Sequence, residues 1–299
     1  MMALIRTSSL RGVLLEQEPM AKHTTWRVGG PAEHYYTPAN ADDLVEYLAQ
    51  LIEDEPIMWV GLGSNLLVRD GGIRGTVIAT NGVLNTIERL DGDRIRAGCG
   101  APCAIVARFC TREGLAGAEF LSGIPGSFGG ALAMNAGCFG GETWKIVEAV
   151  ETIDRHGERR VRKPDEFEVG YRHVQGAAGE WFLSAVLKLQ RGDTEALAAQ
   201  TRELLEKRNR TQPTQQPNAG SVFRNPPGDF AARLIEATGL KGFCIGGACV
   251  SEKHANFIVN TGTATAADIE QLIETVAARV EQSHGVRLVR EVHIVGERA

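Results

Sequence analysis

A mixed helix-and-strand fold divided among two or three domains is what this sequence predicts, on three observations. The chain runs to 299 residues, more than one average core absorbs. Short runs rich in β-branched and aromatic residues alternate with a few clear amphipathic helices. Two glycine-rich runs interrupt that pattern: Val60-Gly61-Leu62-Gly63-Ser64-Asn65-Leu66, and Gly123-Ile124-Pro125-Gly126-Ser127-Phe128-Gly129-Gly130 continuing into Asn135-Ala136-Gly137. Backbone this rich in glycine reaches positive φ and approaches a ligand where a Cβ would collide. Its N–H groups suit an anion such as a pyrophosphate, and two such cradles imply a nucleotide cofactor.

From the N-terminus, Asn40 is placed to cap a helix over 41–53, with Asp42 and Asp43 in its first turn and Leu44, Leu48 and Leu51 on one face. Met58-Trp59-Val60 reads as a buried strand ending at the Gly61/Gly63 turn, and Thr76-Val77-Ile78-Ala79 as another. Arg94-Ile95-Arg96-Ala97 follows the Asp91-Gly92-Asp93 turn as a strand. Pro102 takes the first position of a helix striped by Ile105, Val106, Phe109 and Cys110, which Gly114 ends. Past the second glycine run, 149–153 and 182–187 read as strands and 193–210 as a polar connecting helix. Thr211-Gln212-Pro213-Thr214-Gln215-Gln216-Pro217-Asn218 breaks all regularity, which puts a domain boundary nearby. Asp229 is the expected cap of a helix through Thr238, with Gly239 just beyond it. Thr265-Ala266-Ala267-Asp268 has the form of a capping box ahead of a helix that packs Ile269, Leu272, Ile273, Val276 and Val280. Residues 286–295 alternate as a final strand.

Composition narrows the function. Hydrophobic content of 43% and charged content of 23% are those of an ordinary globular protein. A formal net charge of -5 argues against a nucleic-acid-binding surface. Residues 1–20 hold no apolar stretch of signal-peptide length and nothing approaches a membrane span, so a cytoplasmic location is expected. The six cysteines (Cys99, Cys103, Cys110, Cys138, Cys244 and Cys249) include no Cys-x-x-Cys pair and sit among apolar neighbours, which predicts free buried thiols. Cys244, Cys249 and His254 have no fourth ligand at a standard spacing, and no metal is expected.

Single motifs say little. The Gly61/Gly63 turn is not a Rossmann fingerprint, because Asn65 and Leu66 stand where a third glycine and a helix start belong. By pattern alone it is equally a strand-to-turn glycine pair, and the longer run is also readable as a tight crossover between strands. Asn218-Ala219-Gly220-Ser221-Val222-Phe223-Arg224-Asn225-Pro226 leaves the Ser221 hydroxyl among small residues, with Arg224 able to hold an anion. It is not a nucleophile elbow, since Phe223 stands where glycine is required. Taken alone, Ser221 is an ordinary loop serine. Tyr171-Arg172-His173 and Arg290-Glu291-Val292 are weak by themselves, and an inward carboxylate at Glu291 is costly unless paired. His23 and His173 receive no role.

Together the segments carry more. His23-Thr24-Thr25-Trp26-Arg27-Val28-Gly29-Gly30-Pro31-Ala32, Gly61-Leu62-Gly63-Ser64-Asn65-Leu66-Leu67, Gly123-Ile124-Pro125-Gly126-Ser127, and Pro217-Asn218-Ala219-Gly220-Ser221-Val222-Phe223 followed by Asn225-Pro226 occur in this order along nearly the whole chain. In that order they resemble the UDP-N-acetylenolpyruvoylglucosamine reductases, flavoenzymes of bacterial cell-wall precursor synthesis. The resemblance implies an α+β fold with a two-subdomain FAD-binding unit of the vanillyl-alcohol-oxidase type (PCMH-like), then a C-terminal α+β substrate-binding domain. The expected boundaries are 1–80 and 81–192 for the two subdomains, 193–212 for the connector and 213–287 for the substrate domain, with a strand near 288–299 returning to the first subdomain. It further implies non-covalent FAD and NADPH as cofactors. Gly61, Gly63, Ser64, Asn65, Leu66, Gly123, Ile124, Pro125, Gly126, Ser127 and Gly130 match the flavin loops. Tyr171, Arg224 and Asn225 match substrate-binding positions. Ser221 matches the family's proton donor, and Arg172 and Glu291 its two substrate-activating residues. The partner implied is a small-molecule UDP-sugar, with no nucleic acid, membrane or protein partner.

The implied reaction gives each matched residue a task. Reduced flavin passes hydride to C3 of an enolpyruvyl ether and a proton is added at C2, giving UDP-N-acetylmuramate. Negative charge builds on C2 and spreads into the neighbouring carboxylate, where a guanidinium stabilises it more than the ground state. Glu291 facing that carboxylate helps only while it carries or shares a proton, which like charge and burial favour. Serine is a feeble acid, so Ser221 must act by placement. Two positions depart from the family: Val174 stands where a hydroxyl residue is common, and Arg224 where a lysine is, which keeps the charge and changes the fork geometry. The chain resembles the family's shorter branch, without an inserted tyrosine-bearing loop. The alternatives are an FAD-dependent oxidase on the same cofactor fold, and a non-catalytic nucleotide-sugar-binding protein.

Overall fold

The computed structural model describes residues 10–299, so the reading of residues 1–20 lies outside the described residues for its first nine positions. Two compact units account for the chain and interleave along it. One takes residues up to 15, then 34–62 and 75–206; the other takes 16–33, 63–74 and 207–299. Two units are a coarser division than the four segments expected from the sequence. Among the described residues no helix is long and apolar enough to cross a membrane.

A four-stranded sheet runs in the order Val13–Pro19, Pro31–Thr37, Ile73–Ala79, Ile57–Val60. The last two are parallel, with Val60 opposite Ala79. Helix α1 (Ala41–Leu48) packs Leu44, Tyr47 and Leu48 against Tyr36 and Ile78, the two tyrosine rings stacked at 3.7 Å. Asn40 caps it as expected, its Oδ1 accepting from Asp43 N at 2.9 Å. Asp43 is a surprise: it is fully buried and accepts from Tyr36 Oη, Ala39 N and Arg11 N at 2.6–2.8 Å. A second, five-stranded antiparallel sheet orders Arg159–Arg162, Val147–Asp154, Glu180–Lys188, Arg94–Gly98 and Ile87–Arg89. Helices α2 (Cys103–Arg112) and α3 (Phe128–Ala133) close its core, where Ile95, Val150 and Leu187 meet Val106, Cys110, Phe128 and Leu132. Full burial of each large aliphatic or aromatic side chain stabilises by about 1.5–3 kcal/mol. Helix α4 (Thr194–Thr211) starts on Asp193, whose Oδ1 accepts from Ala196 N.

The second unit is built on α6 (Ala266–His284), which buries Ile269, Leu272, Ile273, Val276 and Val280 in one core with α5 (Ala231–Ala237), Trp26, Leu67 and Phe223. The expected capping box is present, Thr265 and Asp268 exchanging side-chain and backbone bonds. Asp70 adds a second cap from a distant segment, its carboxylate accepting from Ala266 N and Ala267 N. A three-stranded sheet, Cys244–Ile245, Ala248–Val250 and Ile258–Asn260, lies beside α6, and Trp26 Nε1 donates to Ile258 O at 2.8 Å. The strands Leu66–Val68 and His293–Val295 run parallel.

Five expectations need correcting. Helix α1 stops at Leu48 rather than at 53, because Gln50 N and Leu51 N turn back to Tyr47 and Leu48 carbonyls in tighter three-residue loops. Asp229 does not cap α5; it bonds Phe230 N and pairs with Arg233, and Asn225 Oδ1 accepts from Ala231 N instead. Pro102 caps α2 rather than opening it. The final strand shortens to His293–Val295, because Glu291 N and Val292 N both converge on Val222 O and break the alternation. Cys244 and Cys249 are joined in a disulfide, not free. The intervening Ile245-Gly246-Gly247-Ala248 is a hairpin whose Gly-Gly turn sets the two cysteines opposite each other. Cys99, Cys103 and Cys110 are free and buried, whereas Cys138 is only half-buried. Burial pushes the Cys99, Cys103 and Cys110 thiols up to about 12.

An ion cluster ties α6 to the rest of its unit. Arg69 grips Glu270 with Nε and Nη2 at 2.8 and 2.9 Å, and Arg298 Nη2 reaches the same carboxylate at 3.1 Å. These partners hold the Glu270 carboxyl down at about 2. A carboxylate whose folded value is depressed contributes stability above its unfolded value and loses it as pH falls toward the folded one. Glu270→Gln is expected to cost about 2 kcal/mol at neutral pH, and urea denaturation should show that cost shrinking below about pH 4.5. An equal cost at pH 7 and pH 3 contradicts the assignment.

Candidate active site

The first unit places Gly61 and the second glycine run at one end of its parallel strand pair. Gly61 follows Ile57–Val60, and Thr80, following Ile73–Ala79, donates its N–H to Val60 O at 2.9 Å. Carboxyl ends of parallel strands are where sheets of this kind bind ligands. A Cβ on Gly61 would stand 1.9 Å from Ser127 Oγ, so only glycine lets the two runs meet. The second run is braced from within. Phe128 N and Gly129 N donate to Ala101 O and Cys99 O at 2.8 and 2.7 Å, and Gly130 N to Ser127 Oγ at 3.4 Å. Gly126 O accepts from Cys103 N, Gly123 and Ser127 are buried, Ile124 is half-buried and Pro125 is exposed. The N–H groups of residues 128–130 are therefore committed inside the protein.

Arg172 belongs to the same unit, in the turn between the strands Glu168–Gly170 and His173–Gln175. Its Nη2 donates to Gly137 O at 2.8 Å and its Nη1 to Asn135 O at 3.4 Å, and its guanidinium lies 5.3 Å from the centre of the exposed Tyr171 ring. Val174 pairs with Val169 in that hairpin. Three residues of this holder have left-handed backbone: Asn135 at φ +44°, Phe139 at +53° and Arg172 at +54°. Non-glycine residues there cost on the order of 1 kcal/mol each and persist only where the surroundings enforce them. Asn135 does much of the enforcing: its buried side chain donates to Gly170 O at 3.0 Å and accepts from Trp144 N at 3.1 Å.

The other candidate residues lie in the second unit. Gly63, at φ +59°, packs where a Cβ would meet His23 O, and Thr25 N donates to Gly63 O. Ser64 is half-buried and Leu66 is buried. Asn65 Nδ2 donates to Glu291 O at 3.0 Å, and Asn65 O accepts from His293 N at 3.0 Å. Ser221 is half-buried between Gly220, at φ +74°, and Val222. Val222 O accepts from Glu291 N at 2.8 Å, Phe223 bridges Arg290, and Arg224 N donates to Val289 O. The backbone thus brings the Ser221–Arg224 segment alongside residues 289–291, and Asn65 is fastened to Glu291. Asn225, read as a substrate ligand, is exposed and spends its Oδ1 on the start of α5. Asn135, noted in the sequence only as part of the second glycine run, anchors Arg172, and Asn256, not singled out at all, anchors the Ser221 segment. Their signal is weak, because a buried asparagine announces itself only by what it bonds.

Known proteins match most of the chain. Residues 32–161 match the FAD binding domain family model, and residues 212–295 match that of the UDP-N-acetylenolpyruvoylglucosamine reductase C-terminal domain. The UDP-N-acetylenolpyruvoylglucosamine reductase of Alkalilimnicola ehrlichii is 62% identical over 286 residues, covering 96% of each chain. That of Methylococcus capsulatus is 62% identical over 96% of this chain and 94% of its own. The crystal structure of UDP-N-acetylenolpyruvylglucosamine reductase from Thermus caldophilus superposes with a TM-score of 0.81 at 34% identity, covering 95% of this chain and 99% of that one.

The side-chain-free contact at Gly61 fits an FAD-binding domain, and it is testable. Gly61→Ala drives a methyl into Ser127 and should lower the flavin content of purified protein by at least about tenfold, with some of the loss recovered in Gly61→Ala/Ser127→Ala. Absorbance near 450 nm against protein concentration measures it. Full flavin content in the single variant refutes the close approach as a requirement.

Proposed function

Because this chain belongs to the UDP-N-acetylenolpyruvoylglucosamine reductase family, we propose that it reduces the enolpyruvyl ether of UDP-N-acetylglucosamine to UDP-N-acetylmuramate, with NADPH as the electron source. The glycine runs of residues 61–66 and 123–130 would hold FAD, which when bound would supply hydride for C3 of the substrate. The protein's own residues then govern the proton and the charge. Ser221 donates a proton to C2 through its hydroxyl. The Arg172 guanidinium stabilises the negative charge that develops on C2 and its carboxylate, an interaction stronger in the transition state than in the ground state. Two carbonyls already orient that guanidinium, so little reorganisation accompanies the charge. Glu291 keeps a proton between itself and the substrate carboxylate, since two bare carboxylates repel. Arg224 offers a fork to the diphosphate, beside the serine it follows in sequence.

One observation carries this reading. The N–H of Glu291 donates to Val222 O, the carbonyl one residue past Ser221, so two residues 70 positions apart in sequence share one backbone ladder. A weak acid such as serine contributes only when placed, and general acid assistance of this kind is typically worth about 10²–10⁴-fold. Anaerobic stopped-flow separates the two halves of the reaction. In Ser221→Ala, bleaching of the flavin by NADPH should stay within about threefold of the parent, while reoxidation by the enolpyruvyl sugar slows by at least about 100-fold. Unchanged reoxidation removes Ser221 from the mechanism.

A further inference from the structure

The Ser221 segment is extended but belongs to no regular strand, and one of its edges is supplied by a side chain. On one edge, Val222 O and Arg224 N bond the 289–291 backbone. On the other stands Asn256, in the turn before Ile258–Asn260 and 4% exposed. Its main-chain carbonyl accepts from Val222 N at 2.9 Å. Its carboxamide makes a two-pronged pair with Phe223, Oδ1 accepting from Phe223 N at 3.0 Å and Nδ2 donating to Phe223 O at 2.8 Å. An amide side chain thus copies the donor–acceptor pattern of a neighbouring strand. Asn256 is itself anchored, its N–H donating to His254 Nδ1 at 3.3 Å. Burial holds the His254 ring below its ordinary value, favouring the neutral ring, which can accept at Nδ1.

We infer that Asn256 is the positioning residue that sets the Ser221 hydroxyl for proton delivery, an inference that rests on the role proposed for Ser221. Val222 is gripped on both sides, its N–H by Asn256 and its C=O by Glu291, and Ser221 is one peptide away. On the other side of Ser221 the chain turns at Gly220, whose N–H is held by Asn218 Oδ1 at 2.9 Å. Remove the carboxamide, and the Phe223 N–H and C=O are left buried without these bonds, so the segment shifts to find others. A shift near 1 Å costs a positioned catalytic group about 100-fold. Asn256 touches no reacting atom in this scheme. Its effect runs entirely through the segment it holds.

The experiment is a double-mutant cycle read in the half-reactions of the FAD-loaded enzyme. Asn256→Asp keeps the shape and the acceptor but sets an oxygen against Phe223 O; Asn256→Ala removes both prongs. Each should slow reoxidation of the reduced enzyme by the enolpyruvyl sugar by about 10–100-fold, lower kcat more than it raises KM, and leave reduction by NADPH within about threefold. Added to Ser221→Ala, either substitution should cost less than about threefold more, since the group it positions is gone. Equal slowing of both half-reactions, or a full further loss on top of Ser221→Ala, overturns the inference in favour of a general structural role. A slow Ser221→Ala enzyme with fast Asn256 variants overturns the inference alone. A fast Ser221→Ala enzyme overturns it together with the proton-donor reading. If Asn256→Ala does not retain flavin, Asn256→Asp carries the same comparison.

Discussion

A single peptide carbonyl organises the Ser221 segment. Val222 O accepts from Glu291 N, and around this bond the chain abandons regular strand geometry on both sides. Buried backbone groups outside regular structure must still be paired. The molecule meets that requirement with side chains: Asn256 for Phe223, Asn218 for Gly220 and Asn65 for Glu291. Each asparagine does locally what a neighbouring strand does in a ladder. The result is a segment free of sheet register and still held at nearly every residue, which suits a hydroxyl that must be placed to act.

The first unit solves a similar problem by omission. Where Asn256 and its kin add groups, Gly61 leaves one out, and the two glycine runs touch through the gap. The Arg172 holder adds a third device, strained backbone, with Asn135, Phe139 and Arg172 all at positive φ. Chain segments in these conformations resist relaxing because each is tied to the next, Arg172 to the Asn135 carbonyl and the Asn135 side chain to Gly170. The guanidinium is accordingly set by the fold before any ligand arrives, the arrangement that makes electrostatic stabilisation effective.

Much of this was legible in the sequence, and what was not has identifiable causes. Periodicity exposed α6 and its capping box, because apolar spacing and the Thr265/Asp268 pair are local signals. The ordered glycine, serine and asparagine segments pointed to the family, whose membership the FAD-binding and C-terminal matches now establish. Pairing between distant segments was not legible. The alternation over 286–295 suggested one strand, but a bond to Val222, far away in sequence, splits it. The Cys244–Cys249 bond was missed although its turn was in view, because Cys-x-x-x-x-Cys signals a pair only once Gly246-Gly247 is read as a hairpin. Asp43 was legible as a first-turn acid but not as a buried hub, since no local pattern reveals that Tyr36, Ala39 and Arg11 all donate to it.

The interleaving of the two units bears on how the chain is made. Residues 16–33 and 63–74 leave the ribosome well before 207–299, the segment that completes their unit. With synthesis at about 5–20 residues per second, the early segments wait on the order of 10 s for their partners. During that interval Trp26 and Leu67, fully buried in the finished unit, have no core to enter. Burial of those side chains therefore waits for the end of synthesis as a matter of topology.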